Sequence, residues 1–431
     1  MGKLTKGGFF RKFQQLATGS IAAQVITVAF SPLITRVFAP SELGELAFII
    51  SISTILSSFL TLKLDFSIPK KKSTSQANSI LVTSIILLLI STIIVFVFVF
   101  LFDIFFELIS LVHIFSVVIA LNLALNGILV NYLNFYQTYK VIAFSLFINA
   151  LFTSVLKVGL GYLAITNALV IATLLGGGVS IFILTLGSKK YYFKNYKYLP
   201  RNIIRDLRDN LDFVRFYLPS SIFSAFSMHI PVLLIGYYYG NYILGFYSLA
   251  LRMLQMPIAL IGSSLGKVYY REVTNLDCLD LQRLLTKKII LVLSLVGSVP
   301  IVVLSFYGEE LFSFVFGVNW LTAGTIAEKL APWIFLVLIF SPLSNILLVK
   351  DEQKKLLYTS LMLFLARSTI VVICYSVGAG FFVMFEAFAV VSVITWLLNA
   401  YIILSVLKFE RGMVFLVLIL YLAVSIYVIL K

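Results

Sequence analysis

Acidic residues are scarce in this chain: 18 Asp and Glu stand against 33 Lys and Arg, and the four types together make up 12% of 431 residues. A water-soluble chain of this length carries about 25% charged residues, so water is excluded as its main solvent. Cysteine and histidine are rarer still. Cys278 and Cys374 lie far apart, and His113 and His229 are the only histidines, which leaves no metal-ligand spacing. No phosphate-cradling GxxxxGK[ST] loop, HExxH pair or CxxC pair occurs. The chain therefore reads as a non-enzyme, with no catalytic residues, no metal and no resident cofactor.

What the chain has instead is hydrocarbon: 61% of its residues are hydrophobic. They come in runs of about 18 or more, the length that crosses an apolar core about 30 Å thick. Membrane β-barrels show short alternating segments in place of such runs. The expectation is an all-α polytopic membrane protein. Candidate spans fall near 15–37, 44–64, 78–102, 109–131, 141–163, 165–187, 212–237, 243–265, 288–307, 325–349, 356–377, 381–407 and 413–430.

The formal net charge of +15 is organised by topology. With the N-terminus in the cytoplasm, Lys3, Lys6, Arg11 and Lys12, then Lys70 to Lys72, fall inside. So do "SKKYYFKNYKYLPRNIIRDLRDN", "KVYYREVTNLDCLDLQRLLTKK", "KDEQKK" and "KFERG", while the outside loops carry Glu42, Glu45, Asp103, Glu107, Glu309 and Glu310. This is the positive-inside pattern, and no nucleic acid is needed to explain the basic excess. The stretch 267–288 reads as an interfacial helix on the inner side. "YGEELFSFVFGVNWLTAGT" is the longest outside loop and is too short to fold as a domain.

The inside loop 188–211 divides the chain. Residues 1–187 form a first six-helix bundle, 212–407 a second, and 408–431 an extra C-terminal span. Two six-span halves enter the membrane in the same orientation, as parallel repeats do. A faint echo supports this: Pro32, a turn and "ELGELAF" in one half, Pro231, a turn and "ILGFYSLA" in the other. The glycines of "LLGGGVS" (174–180) read as helix-packing positions.

Charges inside the spans are the sharper signal, because an intramembrane charge is a functional-site hypothesis by default. Lys157, Arg215, Arg252 and Arg367 are the basic ones; Asp65 and Glu386 are the acidic ones. At 1.5 Å per residue, Arg252 lies roughly 14 Å from the outer start of its span and Arg367 roughly 16 Å from the inner start of its own. Lys157 and Arg215 also fit snorkelling to the interface, and Arg252 also fits a buried pair with Glu386. A hydrated cavity lined by these cations would hold an anion, since the planar fork of arginine suits phosphate.

Three stretches, in order, resemble one family. They are "TGSIAAQVITVAFSPLITRVFAPSELGELAFIISIS" (18–53), "LGFYSLALRMLQMPIALIGSSLGKVYYREV" (244–273) and "GEELFSFVFGVNWLTAGTIAEKLAPW" (308–333). The family is the Wzx-type polysaccharide flippases of the multidrug/oligosaccharidyl-lipid/polysaccharide (MOP) exporter superfamily. The resemblance implies two six-helix bundles around a central cavity, working by alternating access; such flippases typically have twelve or fourteen spans, so the thirteenth of the 12–13 helices read here departs from the pattern. It implies transfer of undecaprenyl-pyrophosphate-linked oligosaccharide from the cytoplasmic to the periplasmic leaflet of a bacterial inner membrane, for O-antigen or capsule. Arg252, Arg367, Lys157 and Arg215 become partners of the pyrophosphate. Asp65, Glu386 and His229 become candidates for coupling to a proton or sodium gradient. A polymerase and a chain-length regulator are the implied protein partners, beside membrane lipids. The rivals are a multidrug cation antiporter of the same fold, whose cavity would want acids, and a membrane polysaccharide polymerase, which would want a large periplasmic loop.

Overall fold

Apolar runs of this kind can satisfy their backbone in a membrane only as helices or closed barrels. The computed structural model is helical throughout, with no strand among the described residues, which are 6–105, 111–192, 201–211, 213–258, 278–350 and 352–430, with scattered positions between 265 and 276. In chain order the helices are α1 (Lys6–Val37), α2 (Pro40–Leu60), α3 (Thr74–Phe105), α4 (Leu111–Phe135), α5 (Tyr139–Tyr162), α6 (Ala168–Tyr192) and α7 (Arg201–Arg208). They continue with α8 (Leu218–Pro257), α9 (Leu279–Phe316), α10 (Leu321–Phe340), α11 (Gln353–Ser376), α12 (Phe381–Val406) and α13 (Arg411–Leu430).

Among the described residues, eleven helical segments are long and apolar enough to cross a membrane. The thirteen expected spans differ from this number for two reasons. The seventh and eighth lie end to end in one segment, α8, whose helix is interrupted at Gly240 in "YYYGNY", where φ of 83° and ψ of 164° suit only glycine, so both expected helices are present. The thirteenth is the 20-residue α13. Ile93 and Phe98 on α3 and Leu295 and Val299 on α9 are left more than 60% exposed, a surface that hydrocarbon covers and water does not.

Two expectations are corrected. The outside loop 307–325 is helical: α9 bends at Tyr307 (φ −131°, ψ 23°) and runs on to Phe316, and α10 starts at Leu321. Its apolar residues pack, with Phe312 and Phe316 buried. The last part of the interfacial stretch, from Leu279, is instead the first turns of α9. Much of 259–277 lies outside the described residues.

The chain forms two compact units. The first holds residues 1–37 and 46–229. In it α5 packs along α1 and α6, and α4 against α3 and α6. Leu60, Leu64, Ile68, Leu81, Ile128 and Tyr132 form its core. Gly176 and Gly177 let α6 approach Thr153 and Asn122, as the packing reading of "LLGGGVS" expects, whereas Gly178 faces open space.

The second unit holds residues 38–45 and 230–431. Its centre is α10, buried along most of its length and packed on α9, α12 and α13. The segment from the first half, Phe38–Glu45, is held by a reciprocal contact. A methyl group on Gly44 would strike the Asn241 carbonyl, and one on Gly245 would strike the Pro40 carbonyl. Gly44 follows Pro40 by the same helical turn that separates Gly245 from Asn241, so the two halves of the sequence echo meet as matched partners.

Candidate functional site

A buried charge needs a partner, an exposed head or a ligand. The four intramembrane cations meet that requirement in different ways. Arg252 lies on α8 beyond the Gly240 bend, is exposed, and makes no hydrogen bond or ion pair with a described residue. Its expected alternative, a pair with Glu386, does not form. Glu386 is instead 3.0 Å from Lys329 Nζ, which also donates to the Ile429 carbonyl at 2.6 Å. Lys329 thus ties α10, α12 and α13 together. Tyr421, whose hydroxyl donates to the Pro332 carbonyl at 2.8 Å, adds a second link between α13 and α10.

Arg367 sits at mid-height on α11 and is only 9% exposed. Its Cζ lies 4.3 Å from the ring centre of Trp333 and 5.9 Å from that of Phe388. Nε donates to Ser392 Oγ at 3.2 Å, and the Tyr247 phenol on α8 interacts with the guanidinium electrostatically. Tyr247 is itself fixed by stacking on Phe385 at 5.5 Å. No carboxylate of the described residues pairs with Arg367, and its Nη2 is buried without a hydrogen-bond partner. A cation–π contact contributes about 0.5–2 kcal/mol. Burying an ion costs several kcal/mol even after relaxation. The rings alone therefore leave this charge uncompensated.

Lys157, on α5 of the first unit, is 8% exposed and does not simply run out to the interface. Arg215 lies in the one-turn π-helix Phe213–Tyr217, before the membrane-crossing part of α8, and is exposed. The structure thus places Arg252 and Arg367 in one unit and Lys157 and Arg215 in the other.

The acidic candidates separate as clearly. Asp65 lies outside the spans, in the seven-residue 3-10 helix Leu64–Lys70 between α2 and α3. The entry turn uses Leu62 and Lys63 at φ of 47° and 53°, a left-handed conformation that costs side chains about 1 kcal/mol each. Such strain concentrates at functional sites. Asp65 is 2% exposed; its Oδ2 accepts from Asn131 Nδ2 at 2.8 Å, and its Oδ1 has no partner. The neighbouring Ser67 hydroxyl is also buried and unpartnered. Burial holds the Asp65 carboxyl above its ordinary value, against the opposing pull of Asn131 and Lys63. His229 is half-buried, with Nδ1 3.2 Å from Ser51 Oγ.

Sequence reasoning missed Lys329 and Asp206. "AEKLAPW" set Lys329 in an apolar run, which was the available signal. Asp206 was placed in a linker, but the alternating "RNIIRDLR" marks an amphipathic helix. Its Oδ2 accepts from Ser79 Oγ at 2.6 Å and Thr83 Oγ1 at 2.7 Å, so α7 is docked onto α3. An apolar groove of about 550 Å³ between α12 and α13, lined by Leu397, Leu398, Ile419 and Leu422, holds no charge and suits hydrocarbon only.

With this geometry in place, comparison with known proteins is informative. Residues 33–324 match a family model described as polysaccharide biosynthesis protein. The teichuronic acid biosynthesis protein TuaB of Bacillus subtilis (strain 168) is 23% identical over 221 residues, 49% of this chain and 44% of that protein. The chain thus aligns with less than half the length of this curated relative. Among solved structures, the lipid II flippase MurJ in an inward closed conformation matches with a TM-score of 0.69 at 14% identity, over 96% of this chain and 97% of that one. An outward-facing multidrug resistance MATE family transporter of the MOP superfamily matches at 0.60 and 14%, over 93% and 96%. A MOP superfamily transporter from Pyrococcus furiosus matches at 0.59 and 14%, over 93% and 97%. The fold is that of the MOP transporters.

Proposed function

The chain belongs to the polysaccharide biosynthesis protein family, and on that premise we propose that it is a flippase for lipid-linked oligosaccharide. Its cargo is an oligosaccharide unit on undecaprenyl pyrophosphate, carried from the cytoplasmic to the periplasmic leaflet of a bacterial inner membrane for O-antigen or capsule assembly. The chain works by alternating access and makes or breaks no covalent bond. The observation that carries this reading is Arg252: a guanidinium within a membrane-crossing segment that is exposed and has no partner among the described residues. An unpaired arginine there is costly unless something anionic visits it, and a pyrophosphate meets its bidentate donors. Lys157 and Arg215 are secondary contacts for the headgroup. Relatives described as a lipid II flippase and a teichuronic acid biosynthesis protein are consistent with a glycan-lipid or glycan-polymer pathway. A polymerase and a chain-length regulator would then receive the product.

Coupling to a proton gradient is assigned to Asp65, whose buried, half-satisfied carboxyl suits proton uptake. Glu386 is instead ion-paired with Lys329. A multidrug cation antiporter would need free acids where this chain has Arg252. The test is the leaflet location of the glycan lipid in cells with and without the protein, read by accessibility to an added periplasmic glycosidase. Trapping on the cytoplasmic side upon depletion supports the flippase. Undiminished crossing with loss of surface polymer assigns the protein to a later assembly step.

A further inference from the structure

Arg367 presents a chemical demand that a visiting pyrophosphate does not meet. The guanidinium is nine-tenths buried against Trp333 and Phe388, with its Nε bonded to Ser392 Oγ. At 9% exposure the guanidinium offers almost no surface to a sugar-bearing headgroup. Yet Nη2 has no acceptor, and neither does the buried Nε1 of Trp333, the ring on which the guanidinium lies. Two orphaned donors thus belong to one stacked pair, a guanidinium and an indole, with no carboxylate of the described residues to complete them. The nearest ion pair on the same packed helices, Lys329–Glu386, is closed on itself and cannot supply the charge.

We propose that Arg367 and Trp333 form a binding site for a small inorganic anion of halide size, held inside the second unit as a standing counter-ion. Three things point to a monovalent halide in place of a larger oxyanion. The donors are few, the walls are aromatic, and the remaining exposure is 9%. A halide has no lone-pair directionality to satisfy, so it accepts from a guanidinium N–H and an indole N–H at whatever angle the rings impose. Its single negative charge balances the one buried positive charge. This site is distinct from the open Arg252 and does not depend on what the protein carries.

The experiment uses the full-length protein purified in detergent. Its thermal midpoint and intrinsic tryptophan fluorescence are titrated with chloride, bromide and iodide against gluconate at constant ionic strength. The expected result is a saturable halide-dependent rise of the midpoint, with iodide quenching a tryptophan signal that Trp333→Phe removes. Trp333→Phe keeps the aromatic wall and deletes one donor. It should raise the half-saturating halide concentration roughly three- to tenfold, the value of one hydrogen bond. Arg367→Gln should abolish the halide effect, and Arg252→Ala should leave it unchanged. If Arg367→Gln fails to fold, Trp333→Phe and Arg252→Ala still decide the matter. A wild-type protein indifferent to halides overturns the proposal and leaves water as the partner of both donors. So does a halide effect that survives Trp333→Phe unchanged, or one that Arg252→Ala removes.

Discussion

The two units treat their carboxylates differently. The first keeps its buried carboxylates outside the spans, where Asp65 is held by Asn131, and Asp206 by Ser79, Thr83 and, at 3.6 Å, the Arg205 guanidinium. The second carries a carboxylate within the spans, Glu386, paired with Lys329 beside the walled Arg367. Near an interface, a carboxylate can be served by amides and hydroxyls, and water is close when it titrates. At mid-membrane only a counter-charge, an aromatic face or a ligand will do. Arg252 alone has none of these among the described residues, which is why it, and not Arg367, is the residue on which transport is placed.

The largest effect is therefore expected at Arg252. Replacing it with Ala should reduce glycan-lipid transport at least about a hundredfold, the weight of a charge-assisted bidentate contact. Arg252→Lys should recover only part, because a point charge replaces a fork. Surface-polymer yield at matched membrane abundance measures this. Normal polymer with the Ala variant would remove the anion-contact role.

The next effect is on assembly. Gly44→Ala and Gly245→Ala each press a methyl group into a backbone carbonyl, of Asn241 and Pro40 respectively. Each should destabilise the protein by about 3 kcal/mol, the upper range for overpacking. Gly178→Ala, with open space around it, should cost nothing and gain a little from helix propensity. Thermal melts of the three variants compare a matched contact with an unmatched glycine. Equal melts for all three would mean the reciprocal contact does not hold Phe38–Glu45.

Lys329 comes third. Its loss strands Glu386 and frees the last turn of α13, at side-chain exposures of 12% for Lys329 and 28% for Glu386. Lys329→Met should cost about 2 kcal/mol, and Lys329→Met with Glu386→Leu should cost less than the single change, because the pair leaves together. A double variant worse than both singles would show that the pair contributes net stability.

How much of this was legible beforehand follows from the range of each signal. Hydropathy reads a window of one helix, so the spans, the Gly240 bend and the isolation of Arg252 were all visible. The bend at Tyr307 was not, because "YGEEL" has loop-like polarity and its helix is kept by burial of Phe312 and Phe316 against residues further along the chain. Partners were not legible either. Arg367 meets Trp333 from α10 and Phe388 from α12, and Glu386 meets Lys329 across a similar gap. A single sequence says that these charges are unusual; only packing says which of them is already answered.

The smallest effect, and the one that most sharpens the contrast between the units, is at Asp65. Burial raises its carboxyl above the ordinary value of 3.8, so the folded protein prefers the protonated form. That preference adds stability in full below the ordinary carboxylate value and is lost as pH rises through the raised one. Wild-type stability should thus slope downward with pH across that window and then level off. Asp65→Asn keeps an acceptor for Asn131 and cannot ionise, so it should flatten the slope and hold or raise stability at neutral pH. If Asp65 takes up the coupling proton, Asp65→Asn transport should also lose its response to an imposed pH gradient while binding of glycan lipid persists. Retained pH-driven transport in Asp65→Asn would move coupling away from the first unit's inner turn. The half-buried His229, 3.2 Å from Ser51, would then be the next titratable group to replace.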